Sequence, residues 1–315
     1  MTQQTSFGGI DCGKDTLDLA VFPGGDRGRV TNTPCGHQDV IAWLAARGVT
    51  TVGIEASGRY ERPVRDALRA AGVTVHVVDP ARVRYLAKAQ GQRAKTDAID
   101  AAVIAAFTAQ LGDTPAKPVD PDREALADLV RMRRLLVTKR ADIEKAVSRL
   151  PDAVHACVSP VIDALRTAVE DLDAQIEQRI QANPSVAQTV QLLQSAPGVG
   201  LITAVTLAAL VPELGRLSGA QAAALLGVAP YPDDSGQHHG ARHIAGGREE
   251  ARCALYMAAL AGATGRAKGV LAAFYARLIA KGKPPKVALT ACMRKLIVRL
   301  NAMLAHNQSW SDQPT

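Results

Sequence analysis

Three features of the sequence predict an α/β domain followed by a helical region. The chain opens on Gly8-Gly9-Ile10-Asp11-Cys12, where Ile10 and the alternation of Leu17, Leu19 and Val21 make two short strands around the turn Gly13-Lys14-Asp15. Strand-like and helical stretches then alternate as far as residue 111. Past a Pro-rich link, Leu129, Leu136, Ile143 and Leu150 recur every seven residues, the spacing of a helical seam.

Taken in order, Arg29-Val30-Thr31-Asn32-Thr33 reads as a third strand. Residues 38–46 read as a helix carrying Val40, Ile41, Trp43 and Leu44. Thr51-Val52-Gly53-Ile54-Glu55 is a buried strand ending in an acid, followed by the turn residues Ala56-Ser57-Gly58 and a helix over 60–71. Residues 73–78 form another β-branched strand, closed by Asp79-Pro80. A short basic helix over 82–89 and an Ala-rich helix over 96–111 complete the region, with Thr96 or Asp97 placed to cap the latter. Three strands followed by alternating helix and strand is the order of a ribonuclease-H-like fold.

Asp11 stands out because a carboxylate at the end of a core strand is costly unless it is paired, hydrogen-bonded or bound to a cation. Glu55 ends a second core strand. Asp97 and Asp100, three residues apart, project from one face near the start of a helix. Two like charges that close repel unless a cation sits between them, so the four acids are candidate ligands for one or two Mg²⁺ ions, the all-oxygen arrangement of phosphoryl transfer. The plain alternative is that Asp97 caps its helix, Asp100 is solvated and Glu55 pairs with Arg59.

At 315 residues with 47% hydrophobic content, the chain can bury two or three cores, so a multi-domain soluble protein is expected rather than disorder. The five cysteines are odd in number and lack a Cys-x-x-Cys spacing, which argues against a disulfide framework and a structural zinc and fits a reducing cytoplasm. No apolar run approaches a membrane span, and the start lacks the order of a signal peptide, so no membrane partner is expected. Residues 236–315 hold twelve Lys or Arg against three Asp or Glu, a surplus of nine within a net charge of +7. Acid-free basic stretches also occur at 82–95, including Arg82 and Lys95, and at 131–140. Three such stripes suggest a phosphate-rich partner, although a charge run can also be only a solvated face.

Residues 115–121 read as a linker. After Pro151 and Pro160, Val158, Ile162, Leu165, Val169, Leu172 and Ile176 make a second seam. A self-folded hairpin and a dimer-forming arm both fit; the arm is preferred because long helices with thin apolar stripes need a partner. Pro197-Gly198-Val199-Gly200 then precedes an apolar helix over 201–210. It is either a phosphate site at a helix start, through Gly198 and Gly200, or a tight turn with no ligand. Pro232-Asp233-Asp234-Ser235-Gly236 taken alone is an ordinary turn, and after Gly246-Gly247 a helix is expected over 248–263.

With these stretches in view, the chain resembles the DEDD-type insertion-sequence transposases, the bridge-RNA-guided serine recombinases with a RuvC-like domain. The matching residues are Gly9-Ile10-Asp11 with Lys14 and Leu17-Asp18, Glu55 to Glu61 (EASGRYE), Lys95 to Ala101 (KTDAIDA), Pro197 to Gly200 (PGVG) and Gly227 to Gly236 (GVAPYPDDSG). Ile244 to Arg248 (IAGGR) and Leu255 to Ala259 (LYMAA) follow, so the ordered set covers nearly the whole chain.

The resemblance implies a RuvC-like acidic-tetrad domain over 1–118, a coiled-coil dimerisation arm over 119–187 and a mainly helical transposase domain over 188–315. It implies Asp11, Glu55, Asp97 and Asp100 as a Mg²⁺-binding tetrad and Ser235 as a nucleophile forming a phosphoserine link to DNA. It also implies donor and target DNA and an element-encoded guide RNA as partners, and a homo-oligomer, dimeric or tetrameric. Two places depart from the family pattern. Gln237-His238-His239 stands where a more basic run is expected, leaving Arg242 and Arg248 as the better phosphate contacts, and Cys12 is an unusual neighbour for Asp11. His238, His239 and His243 are read as surface or phosphate-contact residues rather than metal ligands. Two rival readings stand beside this one: a metal-dependent RuvC-like nuclease that never uses Ser235, and a non-catalytic RNA-binding protein whose acids are structural.

Overall fold

In the computed structural model, the strand around Ile10 is β1 (Phe7–Cys12), paired antiparallel with β2 (Thr16–Phe22), which pairs antiparallel with β3 (Arg27–Thr31). The structure describes residues 5–91, 97–112, 114–116, 118, 120–232, 234–235, 238–240, 242–265 and 269–311; at 97–99, 234–235 and 238–239 it describes the backbone alone. β3 ends two residues earlier than its β-branched pattern suggests, because Thr33 is a helix cap. Its hydroxyl accepts from the Gly36 amide at 3.2 Å, and Pro34 takes the first position of α1 (Pro34–Ala45), where a missing N–H costs nothing. The helix therefore starts four residues ahead of the expected 38.

β4 (Thr51–Glu55), α2 (Glu61–Ala70), β5 (Thr74–Val78), α3 (Pro80–Ala89) and α4 (Asp97–Leu111) follow. β4 pairs parallel with β1, and β5 parallel with β4, giving the sheet order β3-β2-β1-β4-β5. Three strands joined by hairpins and two added in parallel through crossover helices make an RNase-H-like sheet, as the element order predicts. One face packs Ile10, Leu19 and Ile54 against Val40 and Leu44 of α1 and Val64 and Leu68 of α2. On the other, Ala101 and Ala105 of α4 lie on Ala20, and α3 joins α4 through Val83, Val103 and Phe107. The one buried acid of β2, Asp18, is held by Nε and Nη2 of Arg29 at 2.9 and 3.0 Å. This first unit spans Met1–Val119.

The second unit, Asp120–Thr315, begins with α5 (Pro121–Val147) and α6 (Asp152–Ala182). They form an antiparallel hairpin, tied by ion pairs of Arg133 with Asp173 and of Arg179 with Asp122. The two seams read from the sequence pack on each other within one chain, with Val169 and Ile176 fully buried and Leu129, Leu136 and Ile143 half-buried. α6 runs without a break through Pro160 rather than starting after it. α7 (Pro184–Gln194), α8 (Leu201–Leu210), α9 (Gly219–Leu225), α10 (Glu249–Thr264), α11 (Val270–Ala280) and α12 (Pro285–His306) complete the helices. Their core surrounds α8, whose residues from Ala204 onward are buried, and it includes Leu126, Ala127 and Val130 from the base of α5. Among the described residues no helix is long and apolar enough to cross a membrane.

Between α9 and α10 the sequence pattern shows no strands, yet two short ladders form. β6 (Pro230–Tyr231) pairs with β9 (His243–Ile244), and inside it β7 (Asp234–Ser235) pairs with β8 (His238–His239). Elements of two residues carry too little periodicity to be read from sequence.

Candidate active site

The parallel register that sets Ile10 opposite Ile54 places the next residues, Asp11 and Glu55, side by side at the C-terminal ends of β1 and β4. Their common face follows from the glycines two residues earlier. A Cβ on Gly9 would lie 2.2 Å from the Ala101 carbonyl oxygen, and one on Gly53 would lie 2.0 Å from the Thr108 hydroxyl, so both glycines are pressed against α4. With a side-chain period of two, Asp11 and Glu55 point to that same side.

The direction of α4 then decides what meets them. Gly112 and Thr114, just past its C-terminus, share a cavity of about 550 Å³ with Thr51 and Thr74, which start β4 and β5. The helix therefore runs antiparallel to these strands, and its N-terminus, bearing Asp97 and Asp100, lies at the edge where Asp11 and Glu55 end. Two strand residues advance about 6.6 Å, close to the roughly 6 Å rise of four helical residues, so moving from Gly9 to Asp11 moves from Ala101 to the Asp97 turn. Asp11, Glu55 and Asp100 are half-buried; the Asp97 side chain lies outside the described residues. Among the described residues no three His, Cys, Asp or Glu side chains close into a metal-binding group.

Cys12, the unusual neighbour, sits on the opposite face of β1 and is buried. Burial pushes its thiol far above the usual range, and the negative charges of Asp11, Glu61 and Glu55 push it further. On that face it points away from the side of the sheet that Asp11 and Glu55 share. Glu61, the last residue of the EASGRYE stretch, is a buried carboxylate that the sequence reading passed over. It accepts the Ser57 amide at 3.0 Å, while the Ser57 hydroxyl donates to the Glu55 carbonyl at 3.1 Å. Arg59, at φ 84°, holds a left-handed conformation uncommon for a residue with a side chain, so the loop after Glu55 is bent tightly.

Around this edge, Arg82 is exposed on α3, with its guanidinium 5.0 Å from the Phe107 ring; Arg84 and Lys88 are also exposed, and Tyr85 is 70% exposed. Lys95 lies outside the described residues.

In the second unit, Ser235 pairs with His238 near the end of the inner ladder, with Gly236 and Gln237, outside the described residues, between them in sequence. Arg242 is exposed beside β9. Arg248 is not available as a free phosphate contact. Its guanidinium donates to both carboxylate oxygens of Glu213, at 2.6 and 2.7 Å, and to the Leu210 carbonyl at 2.9 Å. Gly198 has a packing reason to be glycine, since at φ 81° its Cβ would stand 2.3 Å from the Ala258 carbonyl oxygen of α10. Gly200 caps α8 and faces open space. The Pro-Gly-x-Gly stretch is thus first a close helix contact.

An acid-bearing edge on an RNase-H-like sheet, followed by a helical unit, is matched by two family models. A transposase model of the DEDD type matches residues 8–155, and the model described as the transposase IS116/IS110/IS902 family matches 190–276. The protein is thus of the transposase class. Pilin gene-inverting proteins of Moraxella bovis and Moraxella lacunata are each 28% identical, over 95% of this chain and 96% of their own. Among solved structures, Thermus thermophilus RuvC is 22% identical over 36% of this chain and all of its own, with a TM-score of 0.29. RuvC of T. thermophilus in complex with a Holliday junction substrate is 21% identical over 37% of this chain, with a TM-score of 0.30. The chain belongs to the IS110 family of transposases.

Proposed function

We propose that the protein is a recombinase that excises and inserts a mobile DNA element by cutting and rejoining strands, guided to donor and target DNA by an element-encoded RNA. The observation that carries this is the placement of Asp11 and Glu55 side by side beneath the α4 N-terminus that bears Asp97 and Asp100, in a chain of a transposase family. The donor set fits Mg²⁺: carboxylates from three elements offer hard oxygen ligands. Bound there, the ion offsets charge on a phosphate undergoing transfer. Asp11 and Glu55 are mounted on the sheet, and Asp97 and Asp100 on the helix start.

Ser235 is the nucleophile in this reading. Its Oγ forms a bond to phosphorus as the bond from phosphorus to the 3′-oxygen breaks; the serine loses a proton and the 3′-oxygen gains one. The phosphoserine ester conserves the bond, and attack by another 3′-hydroxyl reverses the step to rejoin strands. Exposed Arg242 and the basic face of α3 supply phosphate contacts. Residues 251–311 carry ten Lys or Arg and no Asp or Glu, a field suited to nucleic acid bound in a salt-dependent way. Met132, Leu135, Leu150, Val154 and Val161 are exposed along the α5–α6 hairpin, and a second copy of the chain covering them gives a dimer.

The test is to incubate the protein with its DNA and RNA and look for a covalent protein–DNA species. It should form with the wild type and be absent with Ser235→Ala, which removes one oxygen and leaves docking intact. Strand cleavage by Ser235→Ala at the wild-type rate, with no adduct in either protein, would instead establish a hydrolytic nuclease.

A further inference from the structure

The carboxylate edge is held from behind by a polar clamp centred on Asn32. Asn32, just past β3, donates from one amide nitrogen to the Gly13 carbonyl at 2.9 Å and to the Tyr60 carbonyl at 3.1 Å. Gly13 lies two residues beyond Asp11, and Tyr60 five beyond Glu55, in the loop that Ser57 and Glu61 fasten to the Glu55 carbonyl. One side chain therefore joins the two chain segments that leave the two acid-bearing strands. Its own backbone N–H donates to the Asp15 backbone carbonyl at 2.9 Å, which fixes it against the β1–β2 turn.

The amide is held in one orientation. With its N–H groups directed to two carbonyls, its oxygen must accept, and the partner is Nε2 of buried His37 at 2.8 Å. His37 thus carries its proton on Nε2. The ring reaches this place because α1 starts hard against the end of β3: a Cβ on Gly36 would lie 1.9 Å from the Thr31 carbonyl oxygen. Cap, proline, glycine and histidine in Thr33-Pro34-Cys35-Gly36-His37 build a support for Asn32 rather than a surface turn.

We propose that Asn32, oriented by His37, is a positioning residue that presets Asp11 and Glu55 for a divalent cation. It touches neither carboxylate; it fixes the backbone on which both are mounted. Without it the two loops part independently, and the cation must organise its own ligands on binding. Residues that orient metal ligands typically change metal affinity by about 10–100-fold when removed. Because Asn32 acts through backbone, the lower end of that range applies.

This rests on the metal reading of the acidic edge, so the test separates the two. Mn²⁺, as a paramagnetic probe, is titrated into the full chain and followed by the electron paramagnetic resonance of the free ion, with circular dichroism and thermal melting as checks on folding. Wild type should bind, and Asp11→Asn should lose binding. Asn32→Ala and His37→Leu should remain folded and bind about ten-fold more weakly. His37→Gln, which returns an N–H donor to the Asn32 oxygen, should bind within about two-fold of wild type; a role in stability alone has no reason to track that donor in metal affinity. If Asn32→Ala does not fold, the His37 pair carries the comparison. Equal affinity in wild type and His37→Leu, with Asp11→Asn still defective, overturns the clamp and leaves the metal site standing. No binding by wild type, or unchanged binding by Asp11→Asn, sinks both.

Discussion

Replacing Arg248 with Ala separates a structural arginine from a DNA-contacting one, and the geometry sets the size of the effect. The guanidinium makes two bonds to Glu213 and one to the Leu210 carbonyl, with side chains 32% and 25% exposed. An exposed pair would be worth about 0–1 kcal/mol, whereas removing one partner of a fully buried pair costs about 3–5 kcal/mol. Intermediate burial with bidentate geometry places the loss between these, at about 2–3 kcal/mol. For a unit of this size each kcal/mol moves the midpoint by about 2–4 °C, so the second unit should melt roughly 4–12 °C lower. In a double-mutant cycle with Glu213→Gln, thermal unfolding should return a coupling of about 1–2 kcal/mol. The salt dependence of DNA binding is the second measurement: Arg248→Ala should leave its slope unchanged, whereas Arg242→Ala should reduce it by about 0.9, the loss of one phosphate contact. Unchanged melting together with a shallower salt slope in Arg248→Ala would refute the reasoning.

Gly198→Ala should cost about 2–4 kcal/mol in denaturant unfolding, from its left-handed backbone and the overlap with α10; a stable variant with weakened DNA binding would restore the phosphate-loop reading. Thiol alkylation of the native protein at pH 8 should label exposed Cys35 and Cys157 quickly. Cys12, and Cys292, whose thiol burial pushes up to about 11, should react only on unfolding. Peptide mass spectrometry reads both, and rapid native labelling of Cys12 would contradict its place behind the acidic edge.

The acidic edge was legible from sequence because each part has a local cause. Asp11 follows Ile10 in a short apolar strand, Glu55 ends a β-branched run, and the three-residue spacing of Asp97 and Asp100 falls in a strong Ala-rich helix. The clamp was not legible. Asn32 continues a β-branched run and reads as strand, although Thr33-Pro34, a cap followed by a first-turn proline, marks the stop. Arg248 and Gly198 carry the residue types of a phosphate site. What they do depends on Glu213, 35 positions away, and on Ala258, 60 positions away.

Local sequence was enough to mark the strands and helices of the first unit to within a few residues, the two apolar seams of the α5–α6 hairpin, and the gathering of basic charge in the C-terminal third. These follow from periodicity, capping and composition, which act over a few residues. It took the folded chain to show that the seams close on each other, that Arg248 is engaged by a carboxylate, and that Asn32 joins the loops behind Asp11 and Glu55. Such pairings connect groups far apart along the chain, and their partners are selected by packing and by the need to satisfy buried polar groups, neither of which leaves a periodic trace.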